Sequence, residues 1–335
     1  MKKLVIALIA IAVTASCTKE VTKDYVTLSG KITDKNSDSL MIVTRGFKKV
    51  IKVNEDGSFK DTLKVAAGKH TFFDGKEQTT MYLKNGYDVQ ITLDTKQFDE
   101  TIIYNGIGAD ASNYLAKRAL MEEESLRDSA LFDLDTSGFD KKVDEVTNNF
   151  RQLLQATKDL DSTFIANEEK DFEVMKKELV GSFKQKQFLN NLKGQHSPQF
   201  VDYENYNGGT TSLDDLKGKY VYIDLWATWC GPCKAEIPYL KEVEMAYHDK
   251  NIEFVSISLD QEKDNQKWRD MIEEKELTGV QLIADKDFKS QFIEKYKVMG
   301  IPRFILLDPE GKIISASAPR PSDAKLNELF SKLNI

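Results

Sequence analysis

This chain of 335 residues is poor in several residue types that mark particular classes of protein. It contains only three cysteines, three histidines, three tryptophans and seven prolines. It has no cluster of basic residues interleaved with aromatics and its formal net charge is −7, so nothing in it supports nucleic-acid binding. The apolar run at residues 4–13 is also too short for a membrane span, which needs roughly 20 residues.

The scarcity of histidine and cysteine argues against a metal centre. A structural zinc site takes four ligands, mostly Cys and His, at characteristic spacings. His70, His196 and His248 are instead scattered singly along the chain. We therefore expect no metal ion.

The N-terminus has the pattern of an export signal. Lys2 and Lys3 precede the apolar run at residues 4–13, and three small residues then lead to Cys17. Small residues that end at a cysteine resemble a bacterial lipoprotein signal, so residues 1–17 are interpreted as a signal peptide ending at a lipidated Cys17. The alternative is an ordinary cleaved signal with an unmodified cysteine.

Cys230 and Cys233 remain as a close pair in a chain that we expect to be exported. An exported protein with a single such pair and no other disulfide is expected to use it for chemistry. The pair lies between an apolar run at residues 220–227 and a helical pattern. A cysteine at a helix N-terminus faces unpaired N–H groups and the positive end of the helix dipole, which favours the reactive thiolate. So small a loop would gain little stability from a structural disulfide, and a redox site is predicted.

The pattern of the chain changes twice after the signal. Residues 24–105 show short alternating segments separated by turn signals, which predicts a small β-sandwich. Residues 109–193 lack proline and have apolar residues at three- and four-residue steps, which predicts amphipathic helices. Residues 194–335 alternate strand and helix patterns, which predicts an α/β domain.

The predicted elements of the last domain can be given by number. Strands are predicted at residues 199–203, 220–227, 252–259, 280–284, 303–308 and 312–316. Helices are predicted at residues 230–247, 265–276, 287–296 and 322–333.

Two motifs carry a resemblance to a known family. Residues 226–233 read WATWCGPC, and Gly300-Ile301-Pro302 precedes an apolar strand. The first resembles the active-site signature of the thioredoxin superfamily, and the second resembles its cis-proline segment. Together with residues 233–238 (CKAEIP) and the exported setting, the chain is similar to TlpA/ResA-like membrane-tethered thiol-disulfide oxidoreductases. The N-terminal part is more loosely similar to extensions of Bacteroidetes members of that family.

The resemblance implies roles for both cysteines and for Asp224. Cys230 is expected to be the nucleophile at the exposed end of the strand, and Cys233, which is less accessible, to resolve the mixed disulfide. Asp224 interrupts an apolar strand, where burial should raise its pKa, and the matching aspartate in thioredoxins moves protons for the buried thiol. Thioredoxins pair this aspartate with a lysine, whereas Ser256 corresponds here. A purely structural, hydrogen-bonded acid is the alternative.

A second group is expected to tune the site or to hold the substrate. Glu236 lies three residues after Cys233, where the family has a glutamate linked to thiol tuning; a favourable acid near a helix N-terminus is equally compatible. Substrate binding is assigned to the residues of the two motifs that flank the disulfide: Trp229, Gly231, Pro232, Ile301 and Pro302. The Ile301–Pro302 bond is expected to be cis, and Trp226 to lie in the core. Arg303, where thioredoxins usually have Thr, would favour acidic partners.

The resulting hypothesis is a lipid-anchored thiol-disulfide oxidoreductase in a Gram-negative cell envelope, facing the periplasm. The expected partners are exported client proteins that contain disulfides, an upstream membrane thiol reductant and the membrane itself, reached through Cys17. The Cys230–Cys233 disulfide would serve as the only redox group, without a bound cofactor. The alternatives are a binding lipoprotein with a vestigial redox domain, and a peroxiredoxin-like peroxidase, although the Pro-x-x-x-Thr/Ser-x-x pattern that precedes a peroxidatic cysteine is absent.

Overall fold

The computed structural model describes residues 23–127, 129–333 and 335. The signal peptide and Cys17 therefore lie outside the described residues. The chain divides into two compact units, Met1–Leu179 and Val180–Ile335, and the division falls inside a long helix. Within the described ranges, no helix combines the length and the apolar character that crossing a membrane requires.

The first unit begins with strands whose side chains alternate between the core and solvent. In the strand Asp88–Asp94, for example, Val89, Ile91 and Leu93 are buried and the residues between them are exposed. The strands are β1 Val26–Thr33, β2 Ser39–Thr44, β3 Phe47–Lys52, β4 Ser58–Leu63, β5 Gly68–Phe73, β6 Gln78–Leu83, β7 Asp88–Asp94 and β8 Ile103–Ile107.

These strands form two sheets over one hydrophobic core. The orders are β4-β1-β7-β8 and β3-β2-β5-β6, and β1 pairs with β7 in parallel while the other neighbours are antiparallel. Leu28 and Ile91 from one sheet share a core cluster with Ile42 and Phe72 from the other. The predicted β-sandwich is confirmed.

The short helix α1 Phe98–Thr101 lies between β7 and β8. The helices that follow the sandwich, as the periodicity predicts, are α2 Ala109–Leu126, α3 Thr136–Ala156 and α4 Ser162–Asn191. Tyr114, Phe150 and Phe172, from α2, α3 and α4, are buried together with Tyr82 of the sandwich. The aromatic residues at helical spacing in this segment therefore fill a core.

A buried group of charges lies among these helices. Glu168 on α4 is fully buried, and its Oε2 accepts a hydrogen bond of 2.7 Å from Nη1 of Arg118. Nζ of Lys69 lies 2.6 Å from Oε1 of Glu168 and forms an ion pair with it. The angles at this contact do not fit a hydrogen bond. The Arg118 guanidinium also lies over the rings of Phe150 and Phe172. The carboxylate of Glu168 is thus compensated from two sides.

The second unit is an α/β sheet in the order β10-β9-β13-β12-β11-β14-β15. β11 lies between β12, to which it is parallel, and β14, to which it is antiparallel. The elements are β9 Tyr203–Asn205, β10 Thr210–Thr211, β11 Tyr220–Trp226, α5 Gly231–Ala246, β12 Ile252–Ser258, α6 Asn265–Lys275, β13 Val280–Ile283, α7 Gln291–Lys295, β14 Arg303–Leu307, β15 Ile313–Ser315 and α8 Lys325–Lys332. The α/β, thioredoxin-like class predicted for this part of the chain is confirmed.

Three predicted elements of this unit differ from the structure. The strand expected at residues 199–203 lies at Tyr203–Asn205, because Asn205 pairs with Leu282 of β13. The helix expected at residues 287–296 is a 3-10 turn, Asp287–Lys289, followed by the short α7. The helix expected at residues 322–333 begins only at Lys325.

Candidate active site

The cysteine pair lies where β11 ends and α5 begins. Cys230 is the N-cap residue of α5, and its Sγ accepts the backbone N–H of Cys233 at 3.1 Å. The two sulfurs form a disulfide, with the Cα atoms 5.3 Å apart. The helix N-terminus thus directs an N–H group at the sulfur of Cys230, which is the arrangement that favours a thiolate once the disulfide is reduced.

The expected difference in accessibility between the two cysteines is wrong for this oxidised state. Cys230 and Cys233 are each only 4% exposed. Both pack in one cluster with Trp226 and Trp268. Because the disulfide holds Cys230 back against the helix, the first cysteine is as well covered as the second.

The two tryptophans of the motif have different environments. Trp226 is 2% exposed and belongs to the cluster around the disulfide, as expected. Trp229 is 59% exposed, and its ring lies tilted against that of Phe288, with the centroids 6.3 Å apart. Gly231 and Pro232, at the start of α5, are exposed as well. The surface beside the disulfide is therefore partly aromatic and open.

The segment before β14 approaches the disulfide from another side. The Ile301–Pro302 peptide bond is cis, as predicted. Ile301 is partly buried and packs against the cluster that contains both cysteines. Pro302 and Arg303 follow it, also partly buried. The structure therefore brings the two sequence motifs, which are about 70 residues apart, into contact.

Asp224 is buried on β11 without a cationic partner. It is 8% exposed, and its Oδ1 has no hydrogen-bond partner among the described residues. Burial, and after it the charges of Glu244 and Glu236, raise the pKa of Asp224 to about 8. The expected shift toward neutrality is confirmed. Ser256 lies opposite Asp224 in the register of β11 and β12, as the sequence predicts.

Asp224 and Cys233 line the same narrow cleft. The cleft has room for about one water molecule, is partly open to solvent, and is also lined by Trp226, Glu244 and Gln281. Trp226 Nε1 and Gln281 Oε1, like Asp224 Oδ1, are buried without a hydrogen-bond partner among the described residues. Such a group of polar atoms is suited to hold water between a buried acid and the exterior.

Glu236 is held by the segment that precedes α8. It is 7% exposed, and its carboxylate accepts hydrogen bonds from the N–H of Ser322 at 3.0 Å and from its hydroxyl at 2.9 Å. Arg320 Nη1 lies 3.4 Å away. Ser322 is thereby kept outside the helix, which explains the late start of α8. The acid therefore ties the active-site helix to the C-terminal segment and adds its charge to the surroundings of Asp224.

Sequence reasoning missed a buried aspartate that fixes the loop before Cys230. Asp260 is 1% exposed and accepts hydrogen bonds from the N–H of Thr228 at 2.9 Å and from its hydroxyl at 2.8 Å. The hydroxyl of Ser258 donates to the same carboxylate at 2.7 Å. The available signal was an acid directly after the parallel strand β12, at the sheet edge where Thr228 follows β11.

Glu244 was also missed. It lies on α5 and lines the cleft beside Asp224. Its carboxylate accepts a hydrogen bond from the hydroxyl of Thr278. Burial raises the pKa of Glu244. Lys241, which lines the same cleft, donates to the backbone carbonyl of Lys275 at 3.0 Å instead of to Asp224. Glu244 follows Cys233 by about three helical turns, and nothing in the sequence indicated that its side chain would face β11.

The structure does not test two other predictions, the lipidation of Cys17 and the absence of a metal ion. Cys17 is outside the described residues, so its lipidation stays a prediction. Within the described ranges, no group of three or more His, Cys, Asp or Glu side chains is arranged to hold a metal ion.

Comparison with known proteins identifies relatives of the second unit. Residues 193–316 match the model of the AhpC/TSA family. The thiol-disulfide oxidoreductase ResA of Bacillus thuringiensis subsp. konkukian is 30% identical over 140 residues, which make up 42% of this chain and 78% of the relative.

Two solved structures from Bacteroides vulgatus are also similar. A proposed thiol-disulfide oxidoreductase, solved in solution, is 50% identical, with 42% of this chain and 91% of that chain covered and a TM-score of 0.37. The thioredoxin domain of a thiol-disulfide oxidoreductase is 34% identical, with 42% and 96% covered and a TM-score of 0.38.

Proposed function

The chain belongs to the ResA family of thiol-disulfide oxidoreductases, and from this premise we propose that it reduces disulfide bonds in exported proteins while anchored to a membrane by lipid. The observation that carries the proposal is the disulfide of Cys230 and Cys233 at the N-terminus of α5, packed against the cis-proline segment. In this arrangement a reactive sulfur, its resolving partner and a substrate-binding backbone lie together.

The first step is attack by the reduced enzyme on a client disulfide. The thiolate of Cys230, favoured by the N–H group of Cys233, forms a bond to one client sulfur. The client S–S bond breaks, and the other client sulfur leaves as a thiolate that takes up a proton. The product of this step is a mixed disulfide between Cys230 and the client.

The second step releases the client. The thiol of Cys233 gives its proton to Asp224, and the resulting thiolate attacks the sulfur of Cys230. The bond between Cys230 and the client breaks, and the enzyme disulfide forms as the second client thiolate leaves. Two electrons have then passed from the enzyme dithiol to the client, and an upstream membrane dithiol has to return them.

The remaining residues of the site are assigned supporting roles. Trp229, Gly231 and Pro232 form the exposed surface on which a client lies, and the backbone of Ile301, before Pro302, pairs with the client chain. Glu236 acts through its charge and its bonds to Ser322, which set the position of α5. Asp260 holds Thr228, two residues before the nucleophile.

The location is proposed from the sequence alone. A signal ending at Cys17 would leave a lipidated cysteine as the first residue of the mature chain, and a short polar segment would connect it to the sandwich. We place the enzyme in a Gram-negative cell envelope, facing the periplasm. Replacement of Cys17 by Ser is expected to abolish labelling with a palmitate analogue and to move the protein out of the membrane fraction.

Reduction of insulin tests the central step. With dithiothreitol as electron source, the full chain is expected to precipitate insulin chains faster than the reagent alone, because its thiolate attacks the insulin disulfides. Cys230→Ser should return the rate to that of the blank. Cys233→Ser should accumulate a mixed disulfide with the client, since the resolving thiol is absent. A wild-type rate equal to the blank would contradict the proposal.

The direction of electron flow is tested by the reduction potential. A reductant of this kind should have a potential near that of thioredoxin, about −270 mV, and a strong oxidant one near that of DsbA, about −120 mV. Equilibration of the Cys230–Cys233 pair with glutathione or dithiothreitol buffers gives the value. A result at the oxidising end would reverse the assigned direction and leave the chemistry in place.

A further inference from the structure

Arg303 is a partly buried cation without a partner. Its side chain makes no hydrogen bond, ion pair or ring contact with any residue in the described part of the chain. The other partly buried arginines, Arg118, Arg151 and Arg269, each have a carboxylate within ion-pair distance. Burial lowers the pKa of Arg303, and no nearby acid offsets that effect. Among the partly buried arginines of the described residues, Arg303 therefore differs in having no carboxylate partner.

Such an arrangement is unfavourable unless a ligand supplies the missing charge. Removing a guanidinium from water without a partner costs free energy, and pairing it with a carboxylate recovers part of that cost. Arginine is also suited to this pairing, because its planar group can donate two parallel hydrogen bonds to one carboxylate. A substrate that brings a carboxylate would find a donor that is already partly desolvated.

The position of Arg303 relates it to the reacting sulfurs. It is the first residue of β14 and follows cis-Pro302 directly. Its Cα can be at most about 7 Å from that of Ile301, two residues away. Ile301 packs against the cluster of the two cysteines. In the sheet, Arg303 lies opposite Leu225, five residues before Cys230.

Two exposed apolar side chains belong to the segments that contain Cys230 and Ile301. Trp229 is 59% exposed, and Met299, two residues before Ile301, is 85% exposed. Trp229, Met299, Ile301 and Arg303 are called the docking surface below. Exposed apolar side chains together with an unpaired cation suit a short peptide segment with apolar residues and one acidic residue.

We propose that Arg303 selects disulfide substrates in which an acidic residue lies within two positions of the attacked cysteine. This inference rests on the proposed function, because it assumes that the client chain lies along the segment that contains Ile301. The apolar part of the client covers Trp229 and Met299, and its carboxylate pairs with the guanidinium of Arg303.

The test compares peptides that differ in one residue. Each substrate consists of two short peptides joined by one disulfide, and Glu, Gln or Lys lies next to one cysteine. Reduction separates a fluorophore on one peptide from the quencher on the other. The full chain, purified in detergent, is assayed with dithiothreitol as electron source, and kcat/KM is measured for each peptide. The ratio of Glu to Gln peptide is expected to be about tenfold in the wild type, the range of one charge-assisted hydrogen bond.

Variants of Arg303 separate charge from packing. Arg303→Gln should bring the ratio of Glu to Gln peptide to about one, and Arg303→Glu should favour the Lys peptide over the Glu peptide, since the sign of the charge is reversed. Arg303→Lys should keep part of the preference. Thermal unfolding of each variant shows whether it is folded. Arg45→Gln, an exposed arginine of the first unit, is the matched control and should keep the wild-type ratio.

The outcomes distinguish this inference from the proposed function. Equal rates for the Glu and Gln peptides in the wild type, or a Glu preference that survives in Arg303→Gln, would overturn the role of Arg303 and leave the reductase intact. No reduction of any peptide or of insulin by the wild type would overturn both. A tenfold preference that weakens in the wild type at high ionic strength would support the charge pairing.

Discussion

Glu168 in the first unit and Asp224 in the second are both buried carboxyl groups, but the charges around them have opposite signs. Arg118 and Lys69 compensate Glu168 from two sides. Asp224 has no ion pair with any described cation, and the charges that raise its pKa are those of two further acids, Glu244 and Glu236. A buried charge that serves the fold is paired, whereas one left unpaired beside a reactive sulfur is available to exchange a proton.

Arg303 extends the contrast to positive charge. Arg118, in the helical region of the first unit, is enclosed by an acid and two aromatic rings. Arg303, beside the disulfide, has no partner among the described residues. In the described part of the chain, Asp224 and Arg303 thus both lack a partner of opposite charge near the redox site.

The largest effect on stability is expected from breaking the paired group. Glu168→Ala leaves two cations without their shared acid, and the free energy of unfolding should fall by about 3–5 kcal/mol, as when one partner of a buried pair is removed. Denaturant unfolding measures the change. Glu173→Ala, which removes an exposed acid paired with Arg151, should cost less than about 1 kcal/mol. Equal losses in the two variants would remove the distinction between the buried group and a surface pair.

The second largest effect is expected on the rate of the resolving step. Asp224→Asn removes the group that accepts the proton of Cys233, so release of the client should slow by about 100-fold. Stopped-flow measurement of the decay of the mixed disulfide gives this rate. Asp249→Asn, an exposed acid, should leave it unchanged. A normal rate in Asp224→Asn would exclude the acid from proton transfer.

Asp224→Asn should raise the free energy of unfolding, whereas Glu168→Ala should lower it. Below about pH 4 Asp224 is protonated in both the folded and the unfolded chain, so it has no effect. Between about pH 4 and the folded pKa of about 8, only the unfolded chain ionises, and the wild type loses stability as the pH rises. Asp224→Asn should therefore be more stable than the wild type at pH 8, by an amount on the order of 1–3 kcal/mol. Equal pH dependence of unfolding would contradict the raised pKa.

The smallest effect is expected from Glu244. Glu244→Gln removes the charge that contributes most, after burial, to the raised pKa of Asp224. The pH at which the resolving step reaches half its maximal rate should fall, by less than about one unit. Glu242→Gln, on the exposed side of the same helix, is the matched control and should not shift the profile. A shift to higher pH would show that Glu244 acts in another way.

Features that are determined by residues close together in the sequence were predictable. The Cys230–Cys233 pair, buried Asp224 and the cis bond before Pro302 each lie in a motif or an interrupted apolar run. The sandwich and the α/β sheet also follow from alternation patterns that extend over many residues. In these cases the physical cause acts between neighbours in the chain.

Features that depend on distant contacts were not predictable. Asp260 reaches Thr228 across 32 positions, and Glu244 faces Asp224 only because α5 packs on the sheet. The start of α8 is delayed by bonds between Ser322 and Glu236, 86 positions apart. The burial of Cys230 is also a property of the closed disulfide and its neighbours, which the motif does not describe.

The burial of both sulfurs has a consequence for turnover. Since each cysteine is only 4% exposed, very little of the disulfide is open to a partner. We therefore expect the molecule that restores the electrons and the molecule that receives them to use the same small exposed area, one after the other. A saturating amount of the electron donor should slow the reaction with the client, and a saturating client should slow the reaction with the donor. The enzyme would then bind the donor and the client in turn and would not form a complex with both.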